Sequence, residues 1–245
     1  MFDKHSVSTS FAGRELILET GAMARQASAA VKATYGDTVV LCTAVIEDEP
    51  NPNVSFLPLR VDFEEKMYAV GRIPGGFFKR EGRPSEKEII TSRLIDRPIR
   101  PLLPKGYPYD VQIIAQVLSS DQENEADVLA VTGASAALML SDIPFDGPIA
   151  AVRIGRVDGK LVVNPTQSQM EASDMDIVVA CKDDYVVMVE GSAEGVSEGV
   201  LLEALEFAQE AVKPLLEAQR ELQRSLGKPK REFTPDRMPD ELVKR

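Results

Sequence analysis

Two adjacent aromatics beside a run of cations carry the clearest chemistry in this chain. They lie in Gly71-Arg72-Ile73-Pro74-Gly75-Gly76-Phe77-Phe78-Lys79-Arg80-Glu81-Gly82-Arg83-Pro84, whose glycines and prolines predict an irregular loop. Phenyl rings can stack on unpaired bases, and guanidinium groups fork onto phosphate oxygens. Just downstream, Ser92-Arg93-Leu94-Ile95-Asp96-Arg97-Pro98-Ile99-Arg100-Pro101-Leu102 adds three more arginines. By type and spacing, Phe77, Phe78, Lys79, Arg80, Arg83, Arg93, Arg97 and Arg100 form a candidate grip for a single strand of nucleic acid. Asp96, set among the last three arginines, is expected to orient them and is given no catalytic part.

The charge distribution points the same way. The chain of 245 residues carries a net −11, which argues against a general nucleic-acid coat. Between Arg72 and Lys105, however, nine Lys/Arg stand against four Asp/Glu, a local +5, and the remaining residues carry −16. A basic island on an acidic body suggests one local anionic ligand. The residues alone leave other readings open. The island could be a solvated loop and helix face. It could belong to a scaffold or oligomerisation domain, with Phe77 and Phe78 packed in a subunit contact. It could also serve a different anion-binding enzyme, although Gly71 to Gly82 lacks the Gly-Lys-Ser/Thr ending of a nucleotide phosphate loop.

Several chemistries are excluded or disfavoured by composition. The single histidine, His5, is expected in a mobile terminus, and the two cysteines, Cys42 and Cys181, fall in strand-like segments as buried reduced thiols. That leaves no basis for a zinc site or a histidine-based triad. No apolar run approaches the roughly 20 residues of a membrane span, and the N-terminus lacks the apolar core of a signal peptide. A cytoplasmic protein without a membrane partner is expected.

The elements that must position these residues can be read from periodicity and turn chemistry. Strands are expected at Arg14–Thr20, Ala29–Tyr35, Thr38–Val45, Leu57–Glu65 and Val111–Leu118, with a hairpin turning at Gly36-Asp37. Ser85-Glu-Lys-Glu88 is a capping box that opens a helix. Pro98 is expected to end that helix at Arg97. Arg93 and Arg97, four apart, share a face of it, and Arg100 could extend their line. A second helix is expected over Asp127–Leu140, where Gly133, Ala134 and Ala136 permit close packing. Hairpins follow at Gly147–Val163, turning at Asp158-Gly159, and at Met175–Glu190, turning near Asp183-Asp184. A long amphipathic helix covers Ser197–Leu226, interrupted or kinked at Pro214, and the polar tail after Gly227 reads as a linker. The fold class is α/β (α+β): a layered domain of mixed sheets and helices, since the hairpins argue against an all-parallel sheet.

These segments resemble the polynucleotide phosphorylase family. The resemblance rests on Leu18-Glu-Thr-Gly21, Ala69-Val-Gly-Arg-Ile-Pro-Gly75, Phe77-Phe-Lys-Arg-Glu-Gly-Arg-Pro-Ser85, Ser92 to Leu102, Ile143-Pro-Phe145 and Asn164-Pro-Thr-Gln167, and runs from about residue 10 to the end. It implies an RNase PH-like layered fold, with residues 1–226 as the first of two such cores and 227–245 as the linker and start of an all-helical domain. It implies phosphate-dependent 3′-to-5′ degradation of RNA with release of nucleoside diphosphates, in a homotrimer whose six cores ring a channel. The partners implied are single-stranded RNA, inorganic phosphate and nucleoside diphosphates. Phe77, Phe78, Lys79 and Arg80 match the family's RNA-gripping constriction. Lys79 stands where many relatives have arginine, so the bidentate fork is lost there while the charge is kept.

The resemblance also implies that this core is not the catalytic one. Active cores of this kind present a serine-rich turn at a helix start, where backbone donors and the helix dipole meet phosphate. Glu125-Ala126-Asp127 occupies that place here, and its carboxylates repel an anion. Active cores also carry two aspartates six residues apart. Asp176 matches the second, but Met170 stands in the first position, and Asp174 has the wrong spacing. No catalytic and no metal-ligating residue is therefore expected in this chain, and Mg²⁺ is expected to belong to the second core of a full-length family member.

Overall fold

The computed structural model describes residues 3–51 and 56–233. Two sheets flank a central helix. The larger sheet is built from β1 (His5–Phe11), β2 (Arg14–Thr20), β3 (Ala29–Tyr35), β4 (Thr38–Ile46), β5 (Leu59–Glu65) and β6 (Val111–Ser119), in the order β1-β2-β3-β4-β6-β5. Neighbours are antiparallel except β5 and β6, which run parallel and make the sheet mixed. The crossover between those two strands carries α1 (Glu86–Ile99). The smaller sheet is antiparallel, in the order β10-β9-β7-β8, from β7 (Ala150–Val157), β8 (Lys160–Val163), β9 (Met175–Lys182) and β10 (Tyr185–Ala193). The short α3 (Gln167–Met170) joins β8 to β9.

Between the sheets lies α2 (Ala126–Leu140), which packs against β3, β4 and β7 and is buried along its whole length. A helix apolar all round can only be stable in such a place. Its two hydroxyls take up strand donors: the amide of Ile149 donates to Ser135 Oγ at 2.9 Å and that of Ala151 to Thr132 Oγ1 at 3.3 Å. Gly133 allows the close approach to the large sheet, because a Cβ there would sit 2.7 Å from Cys42 Sγ. Both cysteines are buried and free, and burial pushes the Cys181 thiol up to about 12. The long α4 (Glu198–Leu226) packs along α2, β1 and β7.

Some expectations are corrected. His5 is not in a loose terminus but opens β1, opposite Thr20. Pro98 does not end α1 at Arg97. The helix continues to Ile99, because a proline in the last turn forfeits one hydrogen bond while the amide of Arg100 still reaches Asp96 O. Nor does Pro214 interrupt α4, whose flanking Val212, Leu215 and Leu216 are buried. Residues 227–233, read as the start of a linker, lie against the core. Lys230 Nζ donates to the carbonyls of Leu138, Met139 and Ser141 at the C-terminal end of α2, and Phe233 meets Tyr107 edge-on with centroids 5.1 Å apart. Residues 234–245 of that expected linker and helical start lie outside the described residues.

Candidate nucleic-acid interface

The loop leaves β5 through a 3-10 turn, Met67–Val70, closed by Gly71 in the left-handed region at φ 71°. Left-handed φ recurs at Gly76 and at Lys79, so the chain reverses on both sides of Phe77-Phe78. The two rings are 93% and 81% exposed and touch only edge to face, with centroids 5.4 Å apart. Phenyl groups so exposed contribute little to the core of this chain, and their faces are open to a partner. Glu81 ties the loop back, its Oε1 accepting from the amide of Met67 at 3.0 Å. Arg72, Lys79, Arg80 and Arg83 are exposed and form no ion pair among the described residues.

The second arginine cluster divides in two. Ser85 caps α1 as expected, with Glu88 completing the box. Glu88, Ser92, Asp96 and Arg100 follow at intervals of four and so form one face, which seals the outer edge of β5. Glu88 accepts from the amide of Glu65 at 2.8 Å and Ser92 from that of Phe63 at 2.9 Å. Arg100 donates to the carbonyls of Leu57 and Leu59 at 3.2 and 3.1 Å, while Asp96 grips its Nε and NH2. Arg100, expected in line with Arg93 and Arg97, thus points its donors at the chain's own backbone. Among the described residues Asp96 orients Arg100 alone and neither Arg93 nor Arg97. Arg93 and Arg97 occupy a different, exposed face. Arg93 has no ion pair among the described residues, and Arg97 pairs with Glu190 on β10.

Beside α1 lies a cleft of about 650 Å³, bordered by α1, the start of α2, β7, β9 and β10. Glu125, Asp127, Met170 and Asp176, the residues at the expected positions of a reaction centre, all line it. The sequence reading missed its central residue. Arg153 of β7 reaches between Asp127 and Asp176 and pairs with both. Burial works against its charge, and the two carboxylates outweigh that, holding its pKa above the ordinary value. Nothing in the sequence marks Arg153, since its partners lie 26 and 23 residues away. Lys87 likewise bridges Glu65 and Glu125 at 2.9 and 3.3 Å. Asp174 is spent on Arg156, whose hydrogen bond lowers its pKa.

The donor set therefore does not suit a divalent cation. Asp127 and Asp176 each have an oxygen engaged by the one guanidinium of Arg153, and Met170 offers only a thioether. It does not suit inorganic phosphate either, because the cations are already paired and Glu125 and Asp127 stand at the helix start.

Comparison with known proteins bears on family and fold. The profile described as "3' exoribonuclease family, domain 1" matches residues 12–144, and that of "3' exoribonuclease family, domain 2" matches residues 147–211. The polyribonucleotide nucleotidyltransferase of Sorangium cellulosum is 54% identical over 245 residues, which is 100% of this chain and 32% of the relative. That of Thermomicrobium roseum is 57% identical over 231 residues, 94% of this chain and 29% of the relative. The chain thus spans about a third of the length of the curated relatives it matches. Among solved structures, rice (Oryza sativa) Rrp46 superposes with a TM-score of 0.68 at 13% identity, covering 90% of this chain and 94% of that one, a likeness of fold. With the first profile alone covering more than half of its residues, this chain belongs to the 3′ exoribonuclease family.

Proposed function

We propose that this chain is the RNA-gripping first core of a phosphate-dependent 3′-to-5′ exoribonuclease that releases nucleoside diphosphates, and that this core does not itself perform the chemistry. The observation that carries the first half is the loop: two phenyl rings held in solvent by left-handed turns, among cations with no ion pair among the described residues. Phe77, Phe78, Lys79, Arg80, Arg83, Arg93 and Arg97 supply stacking faces and phosphate ligands. Arg100 supports them by fixing the end of α1. The observation that carries the second half is Arg153, which fills the cleft with an internal ion cluster where a reaction centre would need free donors and a metal site. In this reading residues 1–226 are the core, residues 227–245 lead towards a helical domain, the molecule assembles as a homotrimer in the cytoplasm, and Mg²⁺ is held by the second core of the full-length protein.

A subunit contact is a second reading of the same loop. It is favoured by Ile73, Ile89 and Ile90, which are exposed on the loop and on the first turn of α1. Binding of a short single-stranded RNA and of a mononucleotide, each at two salt concentrations, separates the two. RNA gripping predicts oligonucleotide binding that weakens steeply with salt, with little affinity for the mononucleotide. Salt-independent self-association without RNA binding would establish the contact reading instead.

A further inference from the structure

We propose that Glu190 is a built-in competitor for RNA phosphate at Arg97, withholding one cation of α1 until a phosphate displaces its carboxylate. This inference rests on the reading of the loop and α1 as the RNA contact. Arg153, Arg100 and Arg97 are each held by carboxylates, and the three differ in how exchangeable they are. Arg153 is 14% exposed and bridges two aspartates, so an outside anion has to displace two carboxylates to engage it. Arg100 is held by Asp96 and also donates to two backbone carbonyls, so it is fixed to the edge of β5. Arg97 has a single partner among the described residues. The side chains of Arg97 and Glu190 are 50% and 43% exposed, and no other described residue restrains the guanidinium.

Carboxylate and phosphate are alternative acceptors for the same guanidinium fork. Arg93, one turn earlier on the same face, has no ion pair among the described residues and is free to engage first. A strand anchored at Arg93 brings its neighbouring phosphate towards Arg97, where it must displace Glu190. The exchange costs little because an exposed ion pair is worth only ~0.2–1 kcal/mol. Glu190 is thus a specificity-determining residue that makes the second contact conditional on the first, so an isolated anion gains less from Arg97 than a chain of phosphates does.

The test is the affinity of the chain for a short oligoadenylate, measured by fluorescence anisotropy over a range of salt. Glu190→Gln, nearly isosteric, is expected to tighten binding about 1.5- to 5-fold at low salt, the range of an exposed ion pair. The slope of log K against log salt is expected to steepen by up to about 0.7, because in the parent the displaced Glu190 carboxylate takes up a cation that offsets the one released at the phosphate. In an Arg97→Ala background the same change is expected to do nothing. Unchanged or weaker binding by folded Glu190→Gln overturns the proposal. So does a full gain that persists without Arg97, since Glu190 would then act through its general field. Arg93→Ala keeps the two levels apart. If Arg93→Ala weakens binding while Glu190→Gln is silent, only the competitor fails. If Arg93→Ala and Phe77→Ala/Phe78→Ala both leave binding intact, the RNA-contact reading fails and takes this proposal with it.

Discussion

Phe77 and Phe78 separate a binding role from a packing role in one variant. Losing a core phenylalanine costs ~3–5 kcal/mol of stability, but rings this exposed have no such stability to lose. Phe77→Ala/Phe78→Ala is expected to unfold at the parent temperature and to lose ~1–3 kcal/mol of RNA affinity per stacked base, with little dependence on which base is offered. Thermal unfolding followed by oligonucleotide binding checks both parts. Glu19, inside the Leu18-Glu-Thr-Gly21 motif, shows the opposite case of a motif residue with a structural task. It is buried on β2, lies across from Lys32 on β3, and also takes Lys4 at the foot of β1. Burial pushes its carboxyl up, and the hydrogen bonds and charges of Lys4 and Lys32 outweigh this, leaving the pKa below the ordinary 4.5. A carboxyl with a depressed folded pKa stabilises the fold above its unfolded value and loses that contribution as pH falls through the folded one. Glu19→Gln is therefore expected to cost about 1–2 kcal/mol at neutral pH. Its deficit against the parent should shrink below pH 4.5, read by urea denaturation across that range. The exposed aromatics were legible in the sequence because a loop of glycines and cations gives phenyl rings little to pack against. Arg153 was not, because an arginine in a strand acquires meaning only when the fold brings Asp127 and Asp176 to it.

At the scale of elements, α1 does two jobs on two faces. The face of Glu88, Ser92, Asp96 and Arg100 replaces the missing neighbour strand of β5, satisfying edge amides and carbonyls that would otherwise be free to pair with another chain. The face of Arg93 and Arg97 faces outward, with Arg97 paired to Glu190. The two faces make opposite predictions. Arg100→Ala is expected to lower stability by about 1–2 kcal/mol, through lost charge-assisted bonds to two carbonyls, and to leave the salt slope of RNA binding unchanged. Arg93→Ala is expected to leave stability unchanged and flatten the slope by about 0.7. Equilibrium unfolding and salt-dependent binding on the same two variants check this. The capping box, the two-residue turns and the helix periods were readable because each is set by residues within a few positions of one another. β1 was not readable, since Val7 and Phe11 are its only large apolar residues and its place comes from pairing with β2 and packing against α4. The i, i+4 spacing of Arg93 and Arg97 was visible as well. That Arg100 belongs to the other face could be known only once β5 lay beside the helix.

Across the whole molecule, the buried α2 links the two sheets and brings its N-terminus to the cleft, while Phe77 and Phe78 stand in solvent on the loop. The field within the cleft is set by Glu86, Glu125, Asp127, Asp176 and Glu190 against the paired Arg153 and Lys87. Acidic lining of this kind disfavours a polyanion, and the cations that form no ion pair among the described residues lie instead on the loop and at Arg93. Phosphorolysis has to bring two anions together, which requires unpaired donors at the point of attack and a group able to carry the charge that develops there. This cleft has its guanidinium already neutralised and a thioether where a second carboxylate would be needed. The purified chain, incubated with polyadenylate, phosphate and Mg²⁺, is therefore expected to release no ADP above background. Arg153→Ala, which frees Asp127 and Asp176, is expected not to restore activity, because Met170 still supplies neither a metal ligand nor a proton acceptor. ADP release that requires phosphate and is abolished by Asp176→Ala would show that the cleft is catalytic after all. In that case the ion cluster around Arg153 would have to open during turnover rather than stand as the permanent filling of an inactive site.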